Sequence, residues 1–129
     1  RPTKSRRKES SAASDVYKRQ GLRPEDMDLA ILYDHFTPYT LMQLEELGFC
    51  GRGEAKDFVR EPGALEVGGR LPLNTHGGQL GEAYIHGMNG IAEAVRQLRG
   101  TSVNQVPGAE KVVVTAGTGV PTSGLVLTR

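Results

Sequence analysis

From Gly21 onward the alternation of apolar and polar positions reads as a regular series of elements. Arg23-Pro24-Glu25-Asp26 predicts a short helical turn, with proline early and acids in the first turn, ahead of the apolar run Leu29-Ala30-Ile31-Leu32-Tyr33. That run predicts a buried strand. Thr37 as N-cap and Pro38 at the first helical position then open a helix with Leu41, Leu44 and Leu47 on one face, and Gly48 stops it. Between Phe49 and Leu73 no period survives, which predicts a long excursion of the kind that often carries function. Spacings of four and three at Tyr84, Met88, Ile91, Val95 and Leu98 predict a second helix from about Gly81 to Arg99, stopped by Gly100. Lys111 to Thr115 is a β-branched run, Ala116 to Pro121 a glycine-rich turn and Gly124 to Thr128 a second apolar run, together a closing hairpin. Strands alternating with helices before a final strand pair give an α/β fold, a mixed sheet covered by helices, with no internal repeat.

Composition limits this body to one domain with a modest core, since 129 residues carry 37% apolar and 5% aromatic residues. The formal charge of +1 conceals an asymmetry: residues 1–20 hold seven Lys/Arg against two acids, whereas 21–129 hold nine against thirteen. The first segment, RPTKSRRKESSAASDVYKRQ, is charged and Ser/Ala-rich without an apolar period, so residues 1–20 are expected to be a disordered or artefactual basic tail and 21–129 the domain. Its basic cluster reads either as a polyanion-binding or nuclear-localisation tail or as a merely solvated run. The acidic body lacks a basic patch interleaved with aromatics, which argues against nucleic acid. No apolar run reaches the length of a membrane span and the N-terminus has no signal-peptide core, so a cytoplasmic protein is expected. Cys50 is the only cysteine, which excludes an internal disulfide.

Candidate chemistry concentrates in one place. Asn74, Thr75, His76, Gly77, Gly78, Glu82, Tyr84 and His86 crowd within thirteen residues, too polar a set for a plain connection into a buried helix. Gly77 and Gly78 permit close approach of a ligand or a neighbouring strand and expose backbone N–H donors, while His76 serves either the site or the turn itself. Tyr33 ends a buried strand, the edge at which α/β proteins place ligands, or is a simple strand-end aromatic. Asp34 reads better as a turn holder or helix cap than as a catalytic group. The three histidines share no zinc-like spacing, so no metal is expected, and the Gly117/Gly119 turn lacks a P-loop or dinucleotide pattern.

The text Tyr33-Asp34-His35-Phe36 after a strand, LGFCGRGEAKDFV, NTHGGQLGEAYIHGMN, the helix text AEAVRQLRG and the terminal glycine-rich hairpin together resemble the C-terminal half of thiolase-superfamily proteins. Over Gly21 to Arg129 the resemblance is closest to sterol-carrier-type thiolases and lipid-transfer-protein-like members. It implies a longer protein whose N-terminal half supplies the nucleophilic cysteine of true thiolases and the dimer-forming face. Cys50 lies outside the nucleophile's motif and reads as a partly buried small residue.

Three functional positions of the thiolase pattern are changed. Counting ten residues from Asn74 places Ala83-Tyr84-Ile85 where thiolases carry Gly-His-Pro. Thr115-Ala116-Gly117-Thr118-Gly119 stands where their second cysteine opens a glycine turn, and Tyr33-Asp34-His35-Phe36 replaces Asn-Glu-Ala-Phe or His-Asp-Cys-Phe. Two tyrosines in place of thiolase machinery are similar to the lipid-transfer-protein-like aldolases of steroid side-chain degradation, which cleave a β-hydroxyacyl-CoA and work with a small OB-fold partner.

The resemblance implies retro-aldol cleavage with Tyr33 and Tyr84 as the acid/base pair and His76 as a further catalytic residue. Asn74, Gly77, Gly78, His86, Gly117 and Gly119 are implied around the acyl-CoA thioester. No cofactor beyond the acyl-CoA substrate is implied, and a homodimer of the full-length protein is. A phenol ordinarily titrates near 10, so Tyr84 as base needs neighbouring donors or positive charge, from His86 or His76; otherwise it packs at the head of its helix. Two other readings remain at this stage: a thiolase-type acetyl-CoA C-acyltransferase, and a non-catalytic lipid or acyl-CoA binding module.

Overall fold

A computed structural model describes residues 16–17, 19–83, 85–116 and 123–129. Its centre is a three-stranded sheet in the order β1 (Leu29–Ile31), β2 (Lys111–Ala116), β3 (Ser123–Thr128). β1 and β2 run parallel with Leu29, Ala30 and Ile31 opposite Val112, Val113 and Val114, and β2 and β3 form the antiparallel hairpin expected from the β-branched runs. A single parallel bridge between Leu73 and Ala30 lays the 72–74 segment along the free edge of β1. Asn74 N–H donates to the Ala30 carbonyl at 3.0 Å, so this segment ends beside the end of the strand.

Alternation along the strands sorts the core onto two faces. Ala30, Val113 and Val126 point to one side, where Leu44, Leu47, Phe58 and Leu71 cover them. Leu29, Ile31, Val112 and Val114 point to the other and meet Ala94, Val106 and Ala109. The first face is closed by α1 (Thr37–Glu46), by the four-residue α2 (Ala55–Phe58) and by the irregular chain around them. The excursion between Phe49 and Leu73 thus contributes packing, including Arg70 over the Phe58 ring at 4.7 Å from its centroid. A 3-10 turn at Pro24–Asp26 stands where the proline and acids predict one.

Three boundaries differ from the sequence reading. Thr37 is the first helical residue of α1 and Phe36 the N-cap position, with no side-chain cap bond, a shift of one residue that puts Pro38 second in the helix and leaves the Gly48 stop in place. Upstream of Gly21, Tyr17 is buried in the first core cluster and the Gln20 side chain donates to the Val126 carbonyl, so packing extends into the segment expected as a tail. Residues 1–15 of that tail lie outside the described residues.

The largest difference concerns the second long helix. It splits into a four-residue α3 (Gly78–Gly81) and a twelve-residue α4 (Met88–Arg99). His86 at φ +43° and Gly87 at φ +87° interrupt it, left-handed conformations that no α-helix accommodates. Its fully buried residues are Asn89, Gly90, Glu93, Ala94 and Gln97; of the expected line, Ile91 and Leu98 pack partly buried against the second cluster, and Met88 is 59% exposed. Gly90 makes this possible, since a Cβ there would stand 3.0 Å from Ile31 Cγ2 and push the helix off the sheet. None of the described helices is long and apolar enough to cross a membrane.

Candidate active site

The end of β1, the 72–78 segment and the start of α4 converge at one edge of the sheet. Leu32 follows β1, and the Asn74 side chain continues the ladder there: Leu32 N–H donates to Asn74 Oδ1 at 2.8 Å, and Asn74 Nδ2 donates to the Leu32 carbonyl at 3.0 Å. Asn74, expected among the substrate-binding residues, therefore commits its amide to the backbone and sets the turn's position. Its φ of +49° fits this, because asparagine tolerates the left-handed region better than most residues.

Tyr33 is held through its backbone. Its N–H donates to Thr115 Oγ1 at 3.0 Å, and its carbonyl accepts from Gln43 Nε2 at 2.8 Å. Thr115 in turn donates to Gln43 Oε1 at 2.6 Å, which closes a buried three-residue lock between β1, β2 and α1. The lock aims a half-buried ring. That ring lies 5.0 Å from the His35 ring and beside Gly87, whose missing Cβ would come within 3.7 Å of Tyr33 Cδ2. Gly87, at the head of α4, thus lies against the Tyr33 ring. Tyr84, Gly117 and Gly119 lie outside the described residues.

Asp34 acts on the glycine turn 45 residues downstream. Its Oδ1 accepts the Gln79 N–H at 2.9 Å, and a Cβ on Gly78 would overlap its Oδ2. A close approach at Gly78 is therefore made by this carboxylate. Gly77, at φ +91°, faces Gly81 in the same way, with 3.1 Å between a Cβ there and Gly81 Cα.

Unpartnered polar atoms mark the same place. Seven of the eight buried side-chain N and O atoms that lack a hydrogen-bond partner among the described residues belong to His35, His76, Gln79 and Asn89. Native interiors rarely leave such groups unpaired, so a cluster of them is a place where a ligand, water or another segment completes the bonding. His76, expected to be catalytic, and His35, stacked on Tyr39 at 4.8 Å, both present ring nitrogens of this kind. His86 is exposed and lines a cavity of about 140 Å³ with Gly87, Met88, Ile91 and Thr115. Phe36, Leu80, Ile85 and Met88 add exposed apolar surface on the same loops.

Two polar residues gave no signal in the sequence, Gln43 of the Tyr33 lock and Glu93, and Thr115 signalled only the glycine turn and not its bond to Tyr33. Glu93 is 2% exposed and accepts at Oε1 from Thr75 at 2.6 Å, Ser102 at 2.7 Å and Gln97 at 3.0 Å, and at Oε2 from Arg96 at 3.0 Å. Burial alone would raise its carboxyl; the bonds from Thr75, Ser102, Gln97 and Arg96 outweigh it and hold the group below its ordinary 4.5. A depressed folded-state value gives stability that is present above the unfolded value and lost as pH falls through the folded one. Urea titrations are therefore expected to show the advantage of wild type over Glu93→Gln in full near pH 6 and shrinking below 4.5; a pH-independent difference would contradict an ionised Glu93.

Cys50 belongs elsewhere. It packs against the first core cluster, and burial, with Glu45 and Glu54 outweighing Arg70, pushes its thiol upward, the opposite of an activated nucleophile. Among the described residues no three His, Cys, Asp or Glu side chains are arranged to hold a metal ion.

The comparisons with known proteins converge on one family. The model of the thiolase C-terminal domain-like family matches residues 2–128. The chain is 76% identical over 112 residues to the 17-hydroxy-3-oxo-4-pregnene-20-carboxyl-CoA lyase of Mycobacterium tuberculosis, covering 87% of this chain and 29% of that protein. It is 73% identical to the steroid side-chain-cleaving aldolase of Thermomonospora curvata, with 87% and 28% covered, and 37% identical to sterol carrier protein 2 of Bos taurus, with 77% and 19% covered. The solved Ltp2-ChsH2(DUF35) aldolase superposes with a TM-score of 0.86 at 69% identity, over 91% of this chain and 30% of that one. The chain thus spans less than a third of the length of these relatives. On the family match and on these identities, the chain belongs to the thiolase C-terminal domain-like family.

Proposed function

We propose that this domain forms the tyrosine-bearing part of an acyl-CoA carbon–carbon lyase, which cleaves a β-hydroxyacyl-CoA carrying a steroid-type side chain by a retro-aldol reaction. The observation that carries the reading is Tyr33: a phenol stands at the polar position of the thiolase-like motif, its backbone locked by Thr115 and Gln43, beside the turn that follows Tyr84. The identities to a named lyase and a named aldolase support the same chemistry.

In that reaction a base takes the proton of the β-hydroxyl, and the bond between the α and β carbons breaks. The β carbon leaves as a ketone or aldehyde. The electron pair passes to the thioester as an enolate, which an acid protonates at the α carbon. Tyr33 and Tyr84 fill the two proton-transfer roles. The unpartnered nitrogens of His76 and the glycine turn beside it supply polarity near the thioester oxygen, where negative charge develops. No thiol enters the cycle. Phe36, Leu80 and Ile85 offer apolar surface to a polycyclic substrate. The reading includes a cytoplasmic location, the remaining length of a relative-sized chain, its homodimer and a small OB-fold partner.

The test uses a chimera, the Thermomonospora curvata aldolase with this segment in place of its own. Incubated with a β-hydroxyacyl-CoA, it is expected to release a carbonyl compound and the shortened thioester. A folded chimera that binds the thioester and releases nothing would favour a binding module instead.

A further inference from the structure

The loop from Thr75 to Glu82 carries His76, Gly77, Gly78 and Gln79, and both of its ends are tied to α4 through one charged pair. At the first end Thr75 Oγ1 donates to Glu93 Oε1 at 2.6 Å. At the second, Arg96 Nη2 donates to Glu82 Oε1 at 2.7 Å, while Nε of the same guanidinium donates to Glu93 Oε2 at 3.0 Å. A continuous chain of bonds therefore runs Thr75, Glu93, Arg96, Glu82. Asn104 holds Thr75 from the other side, its Nδ2 donating to the Thr75 carbonyl at 2.7 Å.

We propose that Glu93 and Arg96 are positioning residues, a clamp on both ends of the Thr75–Glu82 loop that fixes His76 and the glycine turn for the reaction proposed above, on which reading this inference rests. Neither touches the reacting atoms. Several observations favour this over ordinary helix stabilisation. A buried carboxylate on a helix facing a sheet is costly unless every lone pair is used, and here it is used by groups from three separate stretches of chain. The loop it grips contains left-handed glycines, which have little conformational preference of their own and rely on outside contacts for a single shape. The unpartnered His76 nitrogens lie one residue from the gripped Thr75.

Thr75→Val and Ser102→Ala separate positioning from structure, because each removes one donor from the same Glu93 oxygen and only Thr75 belongs to the loop. In the chimera, Thr75→Val is expected to lower kcat about tenfold or more with KM nearly unchanged. Ser102→Ala is expected to keep kcat within about twofold. Hydrogen exchange read on the same proteins is expected to accelerate at Gly77, Gly78 and Gln79 in Thr75→Val and to stay unchanged in β2. Arg96→Lys, a change at a partly exposed side chain, frees the Glu82 end and gives a second reading if Thr75→Val does not fold.

Equal losses of kcat in Thr75→Val and Ser102→Ala would overturn the clamp, as would unaltered loop exchange in both loop variants. If the unmutated chimera folds yet cleaves nothing, the proposed function fails while loop exchange still decides the clamp.

Discussion

Replacing Tyr33 with Phe in the chimera is expected to reduce aldol turnover by about 10²–10⁴-fold, the usual contribution of a positioned proton-transfer group. Tyr84→Phe is expected to do the same. The Tyr33 variant is the sharper test, because the residue is held by its own N–H and carbonyl on Thr115 and Gln43, and a phenylalanine keeps both bonds. Its ring also keeps its place beside His35 and Gly87. Only the hydroxyl is lost, so KM should stay close to wild type while kcat and kcat/KM fall together. Steady-state kinetics with a β-hydroxyacyl-CoA measure this. A Tyr33→Phe enzyme that turns over normally would remove Tyr33 from the acid/base pair and leave it as a packing aromatic.

Gly78→Ala is expected to be the most damaging single change in the loop. A side chain at φ +73° carries backbone strain of about 1 kcal/mol or more. The added methyl would also overlap the Asp34 carboxylate, which must then leave the Gln79 N–H. A hydrogen bond to a charged group contributes about 1.5–3 kcal/mol, so strain and lost bond together predict destabilisation of roughly 2–4 kcal/mol. Gly108→Ala is the control: its φ is +70°, and nothing lies within 4 Å of a Cβ there. Urea denaturation should show strain alone at Gly108 and the additional loss at Gly78. Equal effects at the two glycines would mean that Asp34 does not hold the turn.

Much of the architecture was legible because single segments specify it. The Lys111–Thr115 run is β-branched and can only be a strand, and Pro38 and Gly48 bracket α1 whatever else the chain does. The second long helix was misjudged for a physical reason. The four-and-three spacing of Tyr84, Met88 and Ile91 is genuine, yet it crosses His86 and Gly87, whose left-handed backbone a periodicity count does not register. Of the stripe it defined, Ile91 and Leu98 pack partly buried against the second cluster, beside the fully buried line. Asn89, Glu93 and Gln97 recur every fourth residue, but they look like a solvated face until Thr75, Ser102 and Asn104 are seen to meet Glu93 and Gln97.

The site divides along the same principle. Tyr33 was readable from its place at a strand end, and the glycine turn from its polarity. The cap role of Asp34 was readable too, whereas its target, a turn 45 residues away rather than the following helix, was not. Gln43 belongs to no motif, and Thr115 was readable only as the head of the glycine turn; their joint role appears when α1 and β2 bring the two together behind Tyr33. Long-range hydrogen bonding leaves no local trace in a sequence.

Carbon–carbon cleavage through an enolate protonated by a phenol leaves no acyl group on the protein. Turnover of a β-hydroxyacyl-CoA by the chimera in deuterium oxide, followed by mass spectrometry of both product and protein, tests it most directly. One deuterium on the α carbon of the shortened thioester and an unchanged protein mass are expected. An acyl adduct on the chain, with transfer of the acyl group to a thiol, would contradict it.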